Sequence, residues 1–278
     1  MFRYPEKIVL AVAPVAHKGT EMPQGVKNPL SAEEIAEDVI GCARAGASLV
    51  HLHVRNMQGD QVQDLSYFSR TIDLIRKESD IVIQGSTGGV SDLSLEERCV
   101  SVKEPRTELA SLNMGSVNFG DGVYINTLPD IRFWIGEITK NRVVPELEIF
   151  DFSMLTSIER LVGEGLLKQP VNYNFAFGFP GALPADPILM AQIVSNLPEG
   201  SHWGTLHEGM KDFRLLAAAL GMGASAIRVG YEDGRYYLPG IPAPSNTFLV
   251  QKAVELVKSL GLKIATPAET REFFGTLK

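Results

Sequence analysis

Ser31-Ala-Glu-Glu-Ile-Ala-Glu-Asp-Val-Ile-Gly-Cys-Ala-Arg-Ala-Gly-Ala-Ser-Leu-Val-His51-Leu-His53-Val-Arg55 reads as one helix followed by one strand. Ser31-Ala-Glu-Glu34 is a capping box, in which the Ser31 hydroxyl accepts the Glu34 N–H and the Glu34 carboxylate reaches back. Ile35, Val39, Ile40 and Ala43 then fall at i, i+4, i+5 and i+8, the stripe of a helix with one face on a core. Gly46 stops the helix. In the strand that follows, a period of two sends His51 and His53 to one side and Leu52 and Val54 to the other.

The same alternation runs along the whole chain. Strands are expected at Lys7–Val15, Ser48–Arg55, Ile81–Ser86, Glu108–Gly115, Val144–Asp151, Val171–Gly178, Ser201–Glu208 and Ser225–Asp233. Helices are expected at Ser31–Ala45, Leu65–Glu78, Leu95–Val102, Leu128–Asn141, Met154–Glu164, Asp186–Asn196, Gly209–Leu220 and Ser245–Leu260. Strands such as Ile81-Val-Ile83, apolar on both faces, suit a parallel sheet covered by helices. Eight strand–helix pairs in 278 residues give about 35 residues each, the scale of a (β/α)8 TIM barrel of ~250 residues. A doubly wound open sheet is the competitor. Its Gly-rich fingerprint should follow the first strand, whereas Gly221-Met-Gly-Ala-Ser-Ala226 follows a helix and precedes a strand. No linker or shift of composition divides the chain, so a single domain over 1–278 is expected.

Composition removes other classes. Apolar residues make up 45 % and charged residues 21 %, which suits a globular chain and not a disordered one. No apolar run reaches the ~18 residues of a membrane span, and Ile8 to Val15 reads as a buried strand and not a leader. Two distant cysteines, Cys42 and Cys99, make neither a disulfide framework nor a thiolate zinc site. A net charge of −7 disfavours nucleic acid or an anionic membrane as a partner. A soluble, cytoplasmic protein is the expectation.

Barrel enzymes build their sites at the C-terminal ends of the strands. His51 and His53, side by side on an otherwise apolar strand, form half of a site for zinc or another divalent ion. A third ligand is commonly a carboxylate. The eighth strand offers one in Ala226-Ile-Arg228-Val-Gly230-Tyr-Glu232-Asp233, where Arg228, Gly230 and Glu232 share a face and Asp233 follows as a base paired to Arg228. A surface acidic turn would read the same from that segment alone. The third strand ends Gln84-Gly-Ser86-Thr87-Gly88-Gly89, a turn whose backbone N–H groups suit an anion. Ordinary turns also look like this. The fourth strand ends Leu112-Asn113-Met114-Gly115-Ser116-Val117-Asn118-Phe119. Glu146 and Glu148 share a face of the fifth, where an acid is costly unless paired or ligating. His202 and His207 read as rim contacts, and Tyr173, Phe175, Phe177 and Phe179 as filling of the barrel core.

Taken together and in order, Ala47–Arg55, Gln84–Gly89, Ala110–Phe119, Pro145–Asp151 and Ile227–Asp233 resemble the β-keto acid cleavage enzyme family. The resemblance implies a zinc-dependent barrel that converts a β-keto acid and acetyl-CoA into acetoacetate and a new acyl-CoA, assembled as a homotetramer. By position it implies His51, His53 and Glu232 as metal ligands. Ser86 with the Gly88 and Gly89 amides would hold the substrate carboxylate, Asp233 oriented by Arg228 would be the base, and Glu148 would line the pocket. Two departures stand out. Asn113 replaces a threonine common in the family, and an amide there can still donate a hydrogen bond. The segment Ala13-Pro-Val-Ala-His17 lacks the acid that receives an amino group in the type member, which favours a substrate with a neutral or apolar chain. The rival readings are a zinc-dependent barrel hydrolase, which would recruit His202 or His207, and a non-catalytic metal-containing ligand-binding barrel.

Overall fold

The computed structural model describes residues 4–89 and 93–276, so residues 1–3 and 277–278 of the expected domain lie outside the described residues. Eight strands run parallel: β1 Lys7–Val12, β2 Leu49–Leu52, β3 Val82–Ser86, β4 Leu109–Asn113, β5 Val144–Ile149, β6 Asn172–Phe177, β7 His202–His207 and β8 Ala226–Val229. Each pairs with the next, and β8 returns to β1 with Val9 opposite Ala226 and Val12 opposite Val229, which closes the barrel. The helices between and after them are α1 Ala32–Ala45, α2 Ser66–Arg76, α3 Leu95–Arg98, α4 Leu128–Lys140, α5 Met154–Gly163, α6 Pro187–Val194, α7 Arg214–Gly221, α8 Asn246–Ser259 and α9 Pro267–Phe274. The fold is a single (β/α)8 barrel.

Local chemistry explains the element ends. At α1 the Ser31 Oγ accepts from Glu34 N at 3.1 Å and the Glu34 carboxylate accepts from Ser31 N at 3.1 Å. Proline stands in the first turn of α4, α6 and α9, where its missing N–H costs nothing. The apolar stripe of α1 buries Ala36, Val39 and Ile40 against the barrel. On α4 the fully buried Trp134 donates its indole N–H to Leu95 O at 2.9 Å, pinning α3 and α4 together.

Four expectations change in detail. The predicted helix Leu95–Val102 is one turn of α-helix followed by a 3-10 turn at Val100–Lys103, and α7 begins at Arg214 and not at Gly209. The last strand stops at Val229 because Gly230 takes φ +139°. A Cβ there would lie 2.2 Å from Ala13 O, so only glycine allows the two chains to approach. Tyr173, Phe175 and Phe177 belong to the apolar layer between barrel and helices. The alternate residues face inward, where Asn174 bonds Glu146. The period of two holds, and the aromatic face packs outward on the helices and not into the barrel interior.

At the C-terminal end of the barrel, the connection after β4 carries a hairpin, Val117–Phe119 paired with Gly122–Tyr124. A second small hairpin, Tyr236–Leu238 with Ile241–Pro242, follows β8. The first leans over the site.

Candidate active site

His51 sits on β2 and His53 just past its end, with their Nε2 atoms 3.3 Å apart. Beyond Gly230 the chain turns and brings Glu232 to them, with Oε1 3.6 Å from His51 Nε2 and Oε2 3.5 Å from His53 Nε2. Metal–ligand bonds of ~2.0–2.1 Å in a tetrahedron place ligand atoms ~3.4 Å apart, so these separations match one face of such a site. Among the described residues this trio is the one group of three or more His, Cys, Asp or Glu gathered closely enough to hold a metal ion. Burial pushes His51 down to about 3 and His53 down to about 4, so both imidazoles are neutral, as ligation requires. Burial opposes ionisation of Glu232, and the Arg228 guanidinium beside it favours the charged carboxylate.

The surroundings fix these rings. Gln84, opposite His51 across the β2–β3 pair, accepts from His51 Nδ1 at 2.7 Å and so leaves the Nε2 lone pair facing Glu232. Gln84 in turn donates to Glu146 at 2.7 Å, and Asn174 donates to the same Glu146 oxygen at 3.2 Å. This buried chain through the barrel satisfies an acid that would otherwise be costly there. At His53 the Gln61 amide nitrogen lies 3.0 Å from Nδ1, so ligation through Nε2 calls for that amide to turn about.

Arg228 is the hub of the opposite wall. Its Nε and Nη2 grip Asp233 at 2.8 and 2.5 Å, Nη2 also donates to Glu232 at 3.3 Å, and Nη1 stands 3.6 Å from Glu148 with no hydrogen-bond partner among the described residues. Burial pushes Glu148 up to about 8, only partly offset by Arg228, and raises Glu146 and Asp233 as well. Three carboxyls, those of Asp233, Glu232 and Glu148, thus stand within 3.6 Å of one guanidinium.

His51, His53, Gln61, Glu148, Arg228 and Glu232 line a cavity of about 690 Å³ at the barrel mouth, together with Ser86, Gly88, Gly89 and Asn113. Its outer wall is aromatic: the Phe179 ring centroid lies 5.0 Å from that of Phe119 and 5.0 Å from that of Phe150. Asp233 is fully buried behind Arg228 and does not line the cavity. The Gly88 and Gly89 amides are already engaged, Gly88 N with Ser86 Oγ at 3.0 Å and Gly89 N with the Tyr124 hydroxyl at 3.2 Å. Asn113 donates to that same hydroxyl at 2.7 Å. His202 packs its ring on Phe273 at 4.7 Å, away from the cavity, and His207 does not line it either. The late histidines that a hydrolase would recruit therefore stand outside this site. Gln84, Gln61 and Tyr124 were not singled out from the sequence. For Gln84 a signal existed, since it alternates with Ser86 on β3 and falls level with His51.

Fold and site together define a barrel enzyme with a candidate metal centre at the mouth. Residues 7–276 match the family described as beta-keto acid cleavage enzyme, and the chain belongs to that family. It is 37 % identical over 252 residues to a 3-keto-5-aminohexanoate cleavage enzyme of Acetoanaerobium sticklandii, covering 90 % of this chain and 92 % of the relative. It is 32 % identical over 253 residues to a 3-oxoadipate:acetyl-CoA acetyltransferase of Cupriavidus necator, covering 89 % and 87 %. Among solved structures, apo ObcA superposes with a TM-score of 0.78 at 21 % identity, over 90 % of this chain. The chain spans 65 % of the length of ObcA, and the likeness establishes the shared fold.

Proposed function

We propose that this enzyme condenses a β-keto acid with acetyl-CoA and releases acetoacetate and the CoA ester of the remaining chain, with zinc as its metal. The observation that carries the reading is the meeting, in one cavity, of the His51–His53–Glu232 trio with the hydroxyl-lined turn at Ser86. The relatives named for β-keto acids and acetyl-CoA support both co-substrates. Zinc held by His51, His53 and Glu232 would supply Lewis-acid polarisation of a keto group when bound.

The rest of the chemistry belongs to side chains. The carboxylate end of the β-keto acid sits at Ser86, beside the Gly88–Gly89 turn and Asn113, with Glu148 lining the pocket next to it. Asp233 takes the C2 proton. Burial makes it more basic than a free carboxylate, and the Arg228 fork fixes its orientation. Because Asp233 stands behind Arg228, the guanidinium must lean toward the substrate to open the path. The C2 carbanion then attacks the acetyl thioester, CoA moves to the original acyl group, and retro-Claisen cleavage separates the products. General-base work contributes ~10²–10⁴-fold. Glu148 lies directly on the cavity wall and is the other candidate acceptor. Exchange of the C2 proton with deuterated solvent separates them: Asp233→Asn should stop exchange while Glu148→Gln retains it, and the reverse result would remove Asp233 from the role.

The assembly proposed is a homotetramer, and the location is the cytoplasm. For the substrate, we favour a neutral or apolar chain. The segment after β1 offers no acid, Asp60 on the cavity wall is spent on Lys18, and the outer wall is aromatic. An ammonium group would lose hydration there with little return. Screening β-keto acids with acetyl-CoA for acetoacetate tests the function. A neutral short-chain substrate should show a higher kcat/KM than its amino-substituted analogue, and a clear preference for the aminated compound would overturn the substrate reading.

A further inference from the structure

The turn after β3 was expected to present two backbone amides to a carboxylate, yet both are spent inside the protein. Gly88 N donates to Ser86 Oγ at 3.0 Å, and Gly89 N donates to the Tyr124 hydroxyl at 3.2 Å. That hydroxyl also receives Asn113 Nδ2 at 2.7 Å and Arg98 Nη2 at 3.4 Å. Tyr124 belongs to the hairpin inserted after β4, and its ring lies 5.2 Å below the Arg98 guanidinium carbon and 6.1 Å from Phe150.

Each hydroxyl is thus an acceptor toward the protein, and among the described residues no acceptor takes its own proton. The two flank one spot. A Cβ built on Gly88 would lie 2.9 Å from the Tyr124 oxygen and 3.1 Å from Ser86 Oγ, so glycine at 88 keeps the space between them clear. Both residues line the cavity that holds the candidate metal ligands. A hydroxyl that accepts from N–H groups and a guanidinium is polarised, and its O–H becomes a better donor. Two such donors side by side suit a carboxylate, whose two oxygens accept in a fork.

We propose that Tyr124 is a substrate-binding residue. Its hydroxyl and that of Ser86 donate to the carboxylate of the β-keto acid, while Gly89, Asn113 and Arg98 act through Tyr124. The departure at Asn113 then has a physical account, because the amide reaches Tyr124 and positions it. This inference rests on the β-keto acid reading of the site.

The test compares Tyr124→Phe with wild type, in turnover and in calorimetric binding of acetoacetate as the probe. Loss of one hydrogen bond to a charged group should weaken acetoacetate and raise KM for the β-keto acid about 10–100-fold, with KM for acetyl-CoA, metal content and Tm unchanged. A β-keto amide, which lacks the carboxylate, separates binding from support: the penalty should shrink to less than about threefold for it. An equal penalty on acid and amide, or none on either, would overturn the proposal. Should Tyr124→Phe lower Tm, Ser86→Ala provides the second variant, with the same selective loss for the acid. Wild-type protein that neither binds acetoacetate nor turns over any β-keto acid would instead defeat the reading of function on which the proposal stands.

Discussion

His51 and Gln84 show how much a single residue's environment decides. Two histidines at i and i+2 on a strand are a common occurrence. Here both are neutral, His51 buried and His53 partly so, and the Gln84 carbonyl fixes the His51 tautomer with its lone pair toward Glu232. Removing the imidazoles should remove the metal: the protein as purified should carry about one divalent ion per chain, and the His51→Ala/His53→Ala double variant none. Equal metal content in both would eliminate the site. Glu148 gives a pH dependence. With its carboxyl pushed up to about 8 it holds a proton at neutral pH, and it gains a negative charge on the cavity wall as pH rises through that value. That charge repels an anionic substrate, so KM for the β-keto acid should climb above about pH 8 and Glu148→Gln should flatten the climb. An unchanged alkaline limb in the variant would assign the titration to another group. The histidine pair was legible in the sequence because a strand's period of two is strict, and the Arg228–Asp233 pairing because Asp233 follows the strand end at the turn. Gln61 and Tyr124 were not, since contacts made by loops depend on where the chain returns, and no local period records that.

At the scale of elements, turns do more than join the strands. The sequence reading carried β8 as far as Asp233 on alternation alone. In the structure, Gly230 bends the backbone at φ +139° against Ala13, and Glu232 N donates to Ala13 O at 3.2 Å. Arg228 and Glu232 still face the same cavity, although a turn and not a strand brings them there. Gly230→Ala should therefore displace Glu232 and lower metal affinity at least tenfold, or prevent folding, since a Cβ has no room. Normal metal affinity in a folded Gly230→Ala protein would contradict this account of the turn. The capping box on α1 was read from four residues and recurs in the structure bond for bond. Glu34 is lowered to about 2 by Lys27 and by the Leu30 and Ser31 amides. A lowered carboxyl stabilises the fold above its unfolded value and loses that contribution as pH falls from about 4.5 toward 2. Glu34→Gln should flatten this part of the acid unfolding curve, and Ser31→Ala should cost ~0.5–2 kcal/mol in denaturant unfolding. The short α3 was not legible because Cys99 at its end makes no side-chain cap bond, and the late start of α7 because Phe213 stands at the cap while Asp212 before it accepts the Arg214 N–H at 2.9 Å.

At the scale of the whole molecule, closure of the barrel gathers residues from β2, β3, β4, β5 and β8 at one mouth. Strand count and spacing were enough to read that architecture, because each unit carries its own apolar pattern. The inward polar chain from His51 through Gln84 and Glu146 to Asn174 needed the closed barrel to become visible. A homotetramer of 30.4 kDa chains should scatter light as a particle of roughly four times that mass, and a 30 kDa particle at micromolar concentration would contradict it. The central claim concerns where carbon goes. In the proposed exchange, C1 and C2 of acetoacetate come from the β-keto acid and its acetyl group from acetyl-CoA. With acetyl-CoA labelled in the acetyl carbons, zinc-loaded protein and a neutral β-keto acid, the label should appear at C3 and C4 of acetoacetate, matched mole for mole by the new acyl-CoA. Unlabelled acetoacetate, or hydrolysis of either substrate with no acetoacetate formed, would contradict the account.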